Sequence, residues 1–455
     1  MYLFLLIFMA LSVNLESFLG SSPIVDLLPT CLVLYGVCRL AFVGEGSLYV
    51  GSHWNKKNLT VFFLYTFLFA VSIIRLNVAG TNNDGMVGLF NTVIKQVLFV
   101  VYCYLYFCSE FRKGFDFQKT TVKLIAVVML TIAFDYSFWT LLYVFAHNSG
   151  GSMAEVEYNF ILGRLGISFE RKLIPIIQAH PNTIGMYVGS VVAMLMVFFL
   201  VVDKKGIPRR LVNLLKVALG FGILFVFLVD SRGTLLNSIF IIPSIIFLCV
   251  KASKVHLLKY LVYLVPLFPF LMLFVLSFLA QTDLVGQFSR QEGDLATGNN
   301  RSVIWDACVN ELAAIKPVHF WGYGANGQVG ADIDKYYSQF FDVKGMIVHN
   351  VFFQTVLDMG YLGTFLFMSV LFIAMRNAQK LYQQGNGIAI CLLAFFVYYL
   401  ASGTTESTHG VYNQTYNTCM VIMVILTMVI YNEANTVASA PPQHQPLGRL
   451  GRKIA

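Results

Sequence analysis

Residues 349–363 read HNVFFQTVLDMGYLG and begin an apolar run that continues to about residue 375. A helix of about 20 apolar residues crosses the hydrocarbon core of a bilayer, so this run is long enough to span it. Helical residues spaced by three, four or seven positions share one face. Those that share the face of His349 are Phe353, Val356, Gly360 and Gly363. The stretch therefore predicts a membrane helix with an imidazole at its start and glycines along the same face.

The rest of the chain is also strongly apolar. Hydrophobic residues make up 57% of it, charged residues make up 12%, and the mean hydropathy is +0.71. A soluble domain is usually about 25% charged, so lipid is the expected surroundings of most of this chain. Runs of span length lie at about 1–19, 24–43, 59–79, 87–108, 121–146, 181–202, 211–229, 233–250, 257–280, 349–375, 386–402 and 414–431. The pattern predicts an all-α polytopic membrane protein with about 12 transmembrane helices.

Basic residues between these runs predict the orientation of the chain. With twelve spans, six basic segments fall on one side: HWNKKN, EFRKGFDFQKTTVK, DKKGIPRR, KASKVHLLK, RNAQK and the terminal GRLGRK. Lysine and arginine collect in cytoplasmic loops, so both termini are expected in the cytoplasm. The same bias accounts for the formal charge of +8, and no nucleic-acid partner is expected.

Three regions follow from this topology. Residues 1–180 hold the first five spans and a first long loop on the non-cytoplasmic side. Residues 181–431 hold the remaining spans and the largest loop, 281–348. Residues 432–455 form a cytoplasmic tail whose polar, proline-containing composition predicts disorder.

The largest loop contains a second helical signal. Its segment NNRSVIWDACVNELAAI predicts an amphipathic helix, with Val303, Ile304, Ala307, Cys308 and Ile315 near one face. Such a helix is expected to lie on the membrane surface. The turn WGYGANGQVG follows, and its glycines allow close approach of the backbone to a ligand.

Several arginines lie on the side of the membrane where positive charge is disfavoured: Arg164, Arg171, Arg232, Arg290 and Arg301. Guanidinium groups present paired donors suited to a diphosphate, so two or three of them could bind such a headgroup. The alternative for Arg232 is snorkelling or an ion pair with Asp230. The alternative for Arg171, between Glu170 and Lys172, is a solvated charge cluster.

His349 also has two interpretations. A histidine beside Asn350 at a helix start can be a capping or surface residue, whereas an imidazole can also accept a proton from a sugar hydroxyl. Glycines below it indicate close helix packing or a groove for a lipid chain. The sequence has no HExxH motif, no cysteine–histidine pair at metal-ligand spacing and no ATP-binding loop, so no cofactor is expected.

Four stretches together resemble the O-antigen ligase and polymerase superfamily. HNVFFQTVLDMGYLG is similar to its H-N-x9-G-x-x-G pattern, and DSRGTLLN is similar to its arginine turn between two spans. GNNRSVIWDACVNELAAIKPVHFWGYGANG resembles its R…W…PxxGxG block, although His319 and Phe320 lengthen the approach to the glycines. AHPNTIGMYVG resembles its Pro-Asn span start. The resemblance covers about residues 180–410.

The resemblance implies a multi-pass enzyme of the bacterial inner membrane with a periplasmic active site. It implies transfer of a glycan from undecaprenyl diphosphate, without a metal, to a lipid A–core sugar or to another lipid-linked glycan. The implied catalytic residues are His349, Arg232 and Arg301. Expected substrate-binding residues are Arg171, Asn350, Gly360, Gly363 and Glu406.

Three functions remain open from the sequence: a ligase, a polymerase with the same chemistry, and a transporter or lipid flippase. The dominant loop between spans nine and ten favours the ligase, while the sizeable loop 147–180 leaves the polymerase open. A transporter would need charges through the full depth of the membrane. The excess charge here is expected at the outer rim, which favours chemistry at that surface.

Overall fold

The computed structural model describes residues 23–43, 56–75, 84–112, 118–128, 131, 181–229, 231–250, 252–271, 274, 301–337, 347–410 and 414–439. Every regular element in these ranges is a helix, so the all-α prediction is confirmed for the part of the chain that the structure describes.

The helices of the N-terminal region are α1 (Pro23–Cys38, continued by a π-helical turn Arg39–Val43), α2 (Lys56–Ile74), α3 (Asp84–Arg112) and α4 (118–128). Next come α5 (Pro181–Val201), α6 (Arg209–Val229), α7 (Arg232–Val250) and a 3₁₀ helix, Ala252–Leu267. The largest loop holds α8 (Arg301–Ala313), α9 (Val318–Trp321), α10 (Gly327–Gly330) and α11 (Ile333–Tyr337). The last three helices are α12 (Val351–Gln383), α13 (Ala389–Gly403) and α14 (Gln414–Ser439).

Two helices among the described residues, α6 and α12, are long and apolar enough to cross a membrane by the usual test of length and composition. Shorter apolar segments of 10–17 residues lie in most of the other predicted spans. The first predicted span and most of the fifth fall outside the described residues. The count of twelve spans and the position of the termini therefore stay predictions.

The core is formed where α5, α12, α13 and α14 pack together. α13 is apolar on all sides, and all but one of its residues are buried. Close approach at Gly189 lets α13 sit against α5: a Cβ there would lie 2.0 Å from the Tyr398 hydroxyl. That hydroxyl donates to the Thr234 carbonyl at 3.0 Å and so ties α13 to α7. These contacts place α5, α7 and α13 side by side.

α12 is not a single straight helix. Gly360 has φ 71° and ψ −177°, which interrupts the helix between Val351–Met359 and Tyr361–Gln383. The backbone of Phe320 and Gly322 packs so closely on Gly360 that a Cβ there would lie within 2.5 Å of it. Positive φ and close approach together explain why glycine stands at this position.

The interruption leaves helix carbonyls without their usual partners, and the neighbouring turn supplies new ones. The Tyr323 N–H donates to the Leu357 carbonyl at 2.7 Å, and the Gly324 N–H donates to the Asp358 carbonyl at 3.0 Å. The continuous face predicted from His349 to Gly363 is therefore broken. Gly360 contacts protein backbone, and Gly363 lies against Met359. That these two glycines bind substrate stays a prediction.

The predicted loop helix exists as α8, but its surroundings differ from the prediction. Ile304, Trp305 and Cys308 are buried and pack with Val348, Phe353 and Leu357 at the start of α12. Ile315 lies beyond the helix end, has φ 44°, and is 80% exposed, so it does not share the buried face. That face therefore contacts protein where a membrane surface was predicted.

At the other end of the chain, α14 extends to Ser439 and so continues into residues 432–455, the tail predicted to be disordered.

Candidate active site

His349 is held in an unusual conformation just before α12. Asn350 caps the helix: its Oδ1 accepts from the Phe352 and Phe353 N–H groups at 2.9 and 3.1 Å. Its Nδ2 donates to the Thr404 carbonyl at 2.8 Å. His349, next to this cap, has φ 53°. Left-handed backbone in a residue other than glycine is a strain that recurs at functional sites.

The left-handed backbone of His349 leads to a prediction about thermal stability. A Cβ in the left-handed region costs about 1–2 kcal/mol. We therefore expect His349→Gly to melt at a higher temperature than His349→Ala, although both lack the imidazole. Thermal unfolding of the two variants in the same detergent measures the difference. Equal melting temperatures would mean that the backbone at residue 349 is relaxed.

The loop helix α8 brings Arg301 beside His349. The Trp305 indole donates to the Val348 carbonyl at 3.1 Å, which joins the second turn of α8 to the residue before His349. Trp305 is 2% exposed, so the joint is buried. Arg301 is the first residue of α8 and lies one turn from Trp305 on the same side of the helix.

Glu406, in the loop after α13, lies between these two residues. Its Oε2 is 2.7 Å from His349 Nδ1, and its Oε1 is ion-paired with the Arg301 guanidinium. The side chain of Glu406 is 9% exposed, against 18% for Arg301 and 21% for His349. A nearly buried carboxylate thus contacts two more exposed groups, which can meet a ligand from the solvent side.

The hydrogen bond to Glu406 determines the tautomer of a neutral His349. A carboxylate only accepts, so Nδ1 carries the proton and donates it. Nε2 is then left with a lone pair that can accept a proton. A base oriented by a carboxylate through its other nitrogen is the arrangement found in many enzymes with a histidine base.

A chain of hydrogen bonds extends from Glu406 to the turn that holds Arg232. Asn182, the second residue of α5, donates from Nδ2 to Glu406 Oε1 at 2.8 Å. Its Oδ1 accepts from the Ser231 hydroxyl at 3.2 Å, and that hydroxyl accepts from Thr234 Oγ1 at 3.1 Å. Ser231 is 2% exposed. The ends of α5, α7, α8, α12 and α13 therefore meet at one place.

The predicted site residues are thus partly assembled. Glu406 is in direct contact with both His349 and Arg301. Arg232 begins α7 next to Ser231, but its side chain is not among those described, and Arg171 lies outside the described residues. Asn350 is fully buried and uses both amide atoms in hydrogen bonds within the protein, and its predicted contact with substrate stays a prediction.

The role of Asn350 can be measured. Asn350→Ala should lower the free energy of unfolding by about 1 kcal/mol through loss of the helix cap. It should also lower activity, because the freed Thr404 carbonyl no longer holds the loop that carries Glu406. Asn310→Ala is the matched control, since Asn310 bonds Asp306 on the surface of α8. If both variants behave alike, the cap does not position the site.

Sequence reasoning missed Asn182 and Ser231. Both stand in stretches that had been noted, beside Pro181 and Arg232, but hydrogen bonds between distant segments leave no local pattern.

No group of three or more histidine, cysteine, aspartate or glutamate side chains suited to a metal ion occurs among the described residues.

A second polar cluster supports the loop on which Arg301 lies. Glu311, at the other end of α8, accepts from the Tyr323 hydroxyl at 2.5 Å, from Lys316 Nζ at 2.7 Å and from His319 at 3.0 Å. Burial alone would raise the pKa of Glu311, but the hydrogen bonds from Lys316, Tyr323 and His319 outweigh it and lower the pKa. The cluster connects α8 to the turn that packs on Gly360.

Comparison with known proteins agrees with the sequence motifs. Residues 217–368, about a third of the chain, match the family model described as O-antigen ligase (Wzy_C). A search of curated proteins found no match. The matched region contains Arg232, Arg301 and His349, while Asn182 and Glu406 lie on either side of it. Members of this family are integral proteins of the bacterial inner membrane and glycosyltransferase-like enzymes with lipid-linked glycan substrates. Residues 217–368 are thus similar to the O-antigen ligase family, in agreement with the resemblance seen in the sequence motifs.

Proposed function

We propose that this protein is an O-antigen ligase. It would move a glycan from undecaprenyl diphosphate to a hydroxyl of a lipid A–core sugar, at the periplasmic face of the membrane, as a metal-independent and inverting transferase. The observation that supports this proposal most is the contact of Glu406 with both His349 and Arg301. It joins a base and a cation, the two groups that glycan transfer from a diphosphate needs.

His349 acts as the general base in this proposal. Nε2 takes the proton of the acceptor hydroxyl while that oxygen forms a bond to the anomeric carbon of the donor. The bond from the anomeric carbon to the diphosphate breaks, and its electron pair leaves with the diphosphate. Attack from the face opposite the leaving group inverts the configuration. Glu406 stabilises the imidazolium that results, as a carboxylate next to a catalytic histidine does.

Arg301 and Arg232 bind the diphosphate. Arg301 Nε is buried and has no hydrogen-bond partner among the described residues. An unpaired buried donor costs about 1–3 kcal/mol, and more when charged, so a phosphate oxygen that satisfied it would bind favourably. Ion pairing to Glu406 holds the guanidinium in place before the donor arrives. Charge that builds on the leaving diphosphate is then met by donors already in position. Arg171 stays a predicted contributor to the same anion site.

The same site would serve a polymerase, because the two reactions differ in the acceptor and share the donor. In a ligase the acceptor is a lipid A–core sugar, and in a polymerase it is another lipid-linked repeat unit. The predicted 147–180 loop, on the same side as the site, is the feature that keeps the polymerase as the second candidate.

A deletion strain distinguishes these functions when its lipopolysaccharide and carrier-linked glycans are separated on gels. Loss of all long chains from lipid A–core, with polymer still on the carrier lipid, is the result expected of a ligase. Lipid A–core with a single repeat unit indicates a polymerase. Lipid-linked units trapped on the cytoplasmic side indicate a flippase and would overturn the proposal. Restoration of the pattern by the wild-type chain, and not by His349→Ala, connects the phenotype to this site.

A further inference from the structure

We propose that Asn182 is a positioning residue of the transfer reaction, which holds Glu406 in place and joins it to the turn of Arg232. This inference rests on the proposed function. It assigns a role to a residue that contacts Glu406 and acts through it.

The two ends of the Asn182 amide are fixed by different partners. Ser231 donates to Oδ1, and this bond leaves Nδ2 directed at Glu406 Oε1. Ser231 itself is held by Thr234 on α7. A flipped amide would place its oxygen against the carboxylate of Glu406, where neither group can donate. The surrounding hydrogen bonds therefore select one orientation of the Asn182 side chain.

Glu406 needs the hydrogen bond from Asn182 because Arg301 both pairs with Glu406 and, in the proposed mechanism, binds the donor diphosphate. In the free enzyme, Asn182 and Arg301 both contact Oε1, while Oε2 faces His349. When the Arg301 guanidinium also binds a donor diphosphate, its attraction to Oε1 is shared with the phosphate and weakens. Asn182 does not move with Arg301, because it belongs to α5. It therefore keeps Oε2 directed at His349 Nδ1 during the reaction.

The network also links donor binding to the base. Ser231 precedes Arg232, so any shift of the arginine turn on diphosphate binding acts directly on the hydrogen bond from Ser231 to Asn182. From Asn182 the effect passes to Glu406 and then to His349. Among the described residues, the charged group in contact with Asn182 is Glu406, which in turn contacts Arg301 and His349. The side chains of His180, Asp230 and Arg232, its neighbours along the chain, are outside those described.

The test uses the purified full chain in nanodiscs. The donor is the lipid-linked glycan that accumulates in the deletion strain, and the acceptor is lipid A–core from the same strain. Asn182→Ala removes one hydrogen bond to an ionised group, so the rate at saturating donor should fall about tenfold to a hundredfold. The KM for the donor should stay unchanged, since Asn182 does not bind it. Asn237→Ala is the matched control, because Asn237 contacts Ser402 and not Glu406.

Asn182→Asp separates positioning from a purely structural role. The new carboxyl group donates to Glu406 only while it is protonated. Two carboxyl groups at hydrogen-bond distance share a proton and hold it to a higher pH than either alone. The rate of Asn182→Asp divided by that of Asn182→Ala should therefore rise about tenfold as the pH falls from about 8 to about 5.5. A simple packing defect would give a ratio that does not depend on pH.

A double-mutant cycle provides the last measurement. If Ser231 acts by orienting the amide, Ser231→Ala should have no further effect in the Asn182→Ala background. Additive effects, a pH-independent rate ratio, or a rate for Asn182→Ala equal to that of Asn237→Ala would each overturn the inference. Failure of the proposed function itself has a different signature: His349→Ala and Arg301→Ala would then also retain full activity.

Discussion

Replacement of His349 by glutamine is expected to lower the rate of glycan transfer about 10²–10⁴-fold, the usual contribution of a positioned general base. Glutamine can still hydrogen-bond to Glu406, but it cannot take the proton of the acceptor hydroxyl. The rate at saturating donor, measured with the purified full chain, is the readout. Binding of the lipid-linked donor should persist, because the arginines that contact the diphosphate are unchanged.

The pH profile gives an independent check on the base. Protonation of His349 removes the lone pair on Nε2, so wild-type activity should fall on acidification. That acidic limb should be absent from the residual activity of His349→Gln. A glutamine variant with near wild-type turnover would mean that His349 only positions the substrate. Glu406 would then be the next candidate for the base.

The second large effect is expected at Arg301 and Arg232, the residues proposed to bind the diphosphate. Arg301→Ala should abolish measurable transfer, since it removes a diphosphate contact and leaves the carboxylate of Glu406 without its ion pair. Arg301→Lys should recover only part of the activity, because an ammonium is a point charge and cannot make the paired contact of a guanidinium. Arg232→Lys should behave in the same way. Arg210→Ala, at an exposed position on α6, is the control.

Full activity of both lysine variants would show that charge alone suffices and that paired hydrogen bonds to the diphosphate are not needed. The insertion of each variant has to be measured alongside, because an unpaired Glu406 can destabilise the fold. Equal amounts of folded protein in the membrane, with loss of transfer, separate the two effects.

Sequence reasoning found most residues of the site but did not find the contacts between them. His349 and Arg301 were found because each stands in a motif with a recognisable local pattern. Glu406 was expected to bind substrate, but its position between the two was not foreseen. It lies 57 residues from His349 and 105 from Arg301, and only the packing of α13 brings it there.

Gly360 shows why helix periodicity alone was not sufficient. The spacing of apolar residues continues through it, so a regular helix was the reasonable prediction. The backbone of Phe320 and Gly322 interrupts the helix from outside, and a contact between distant segments cannot be seen in the periodicity of either one. The same limit applies to Ile315, whose place in the predicted apolar face was lost when α8 ended at Ala313.

The position of Glu406 near the end of the chain has a consequence for biosynthesis. Asn182, Arg301 and His349 leave the ribosome earlier, and the carboxylate they share is made after them. The site therefore cannot exist until the translocon has released α13 and the loop that follows it. A nascent chain arrested before residue 406 carries an arginine without its counter-ion. Co-expression of two fragments divided between α12 and α13 would make this late step visible, because transfer could begin only after the fragments associate within the membrane.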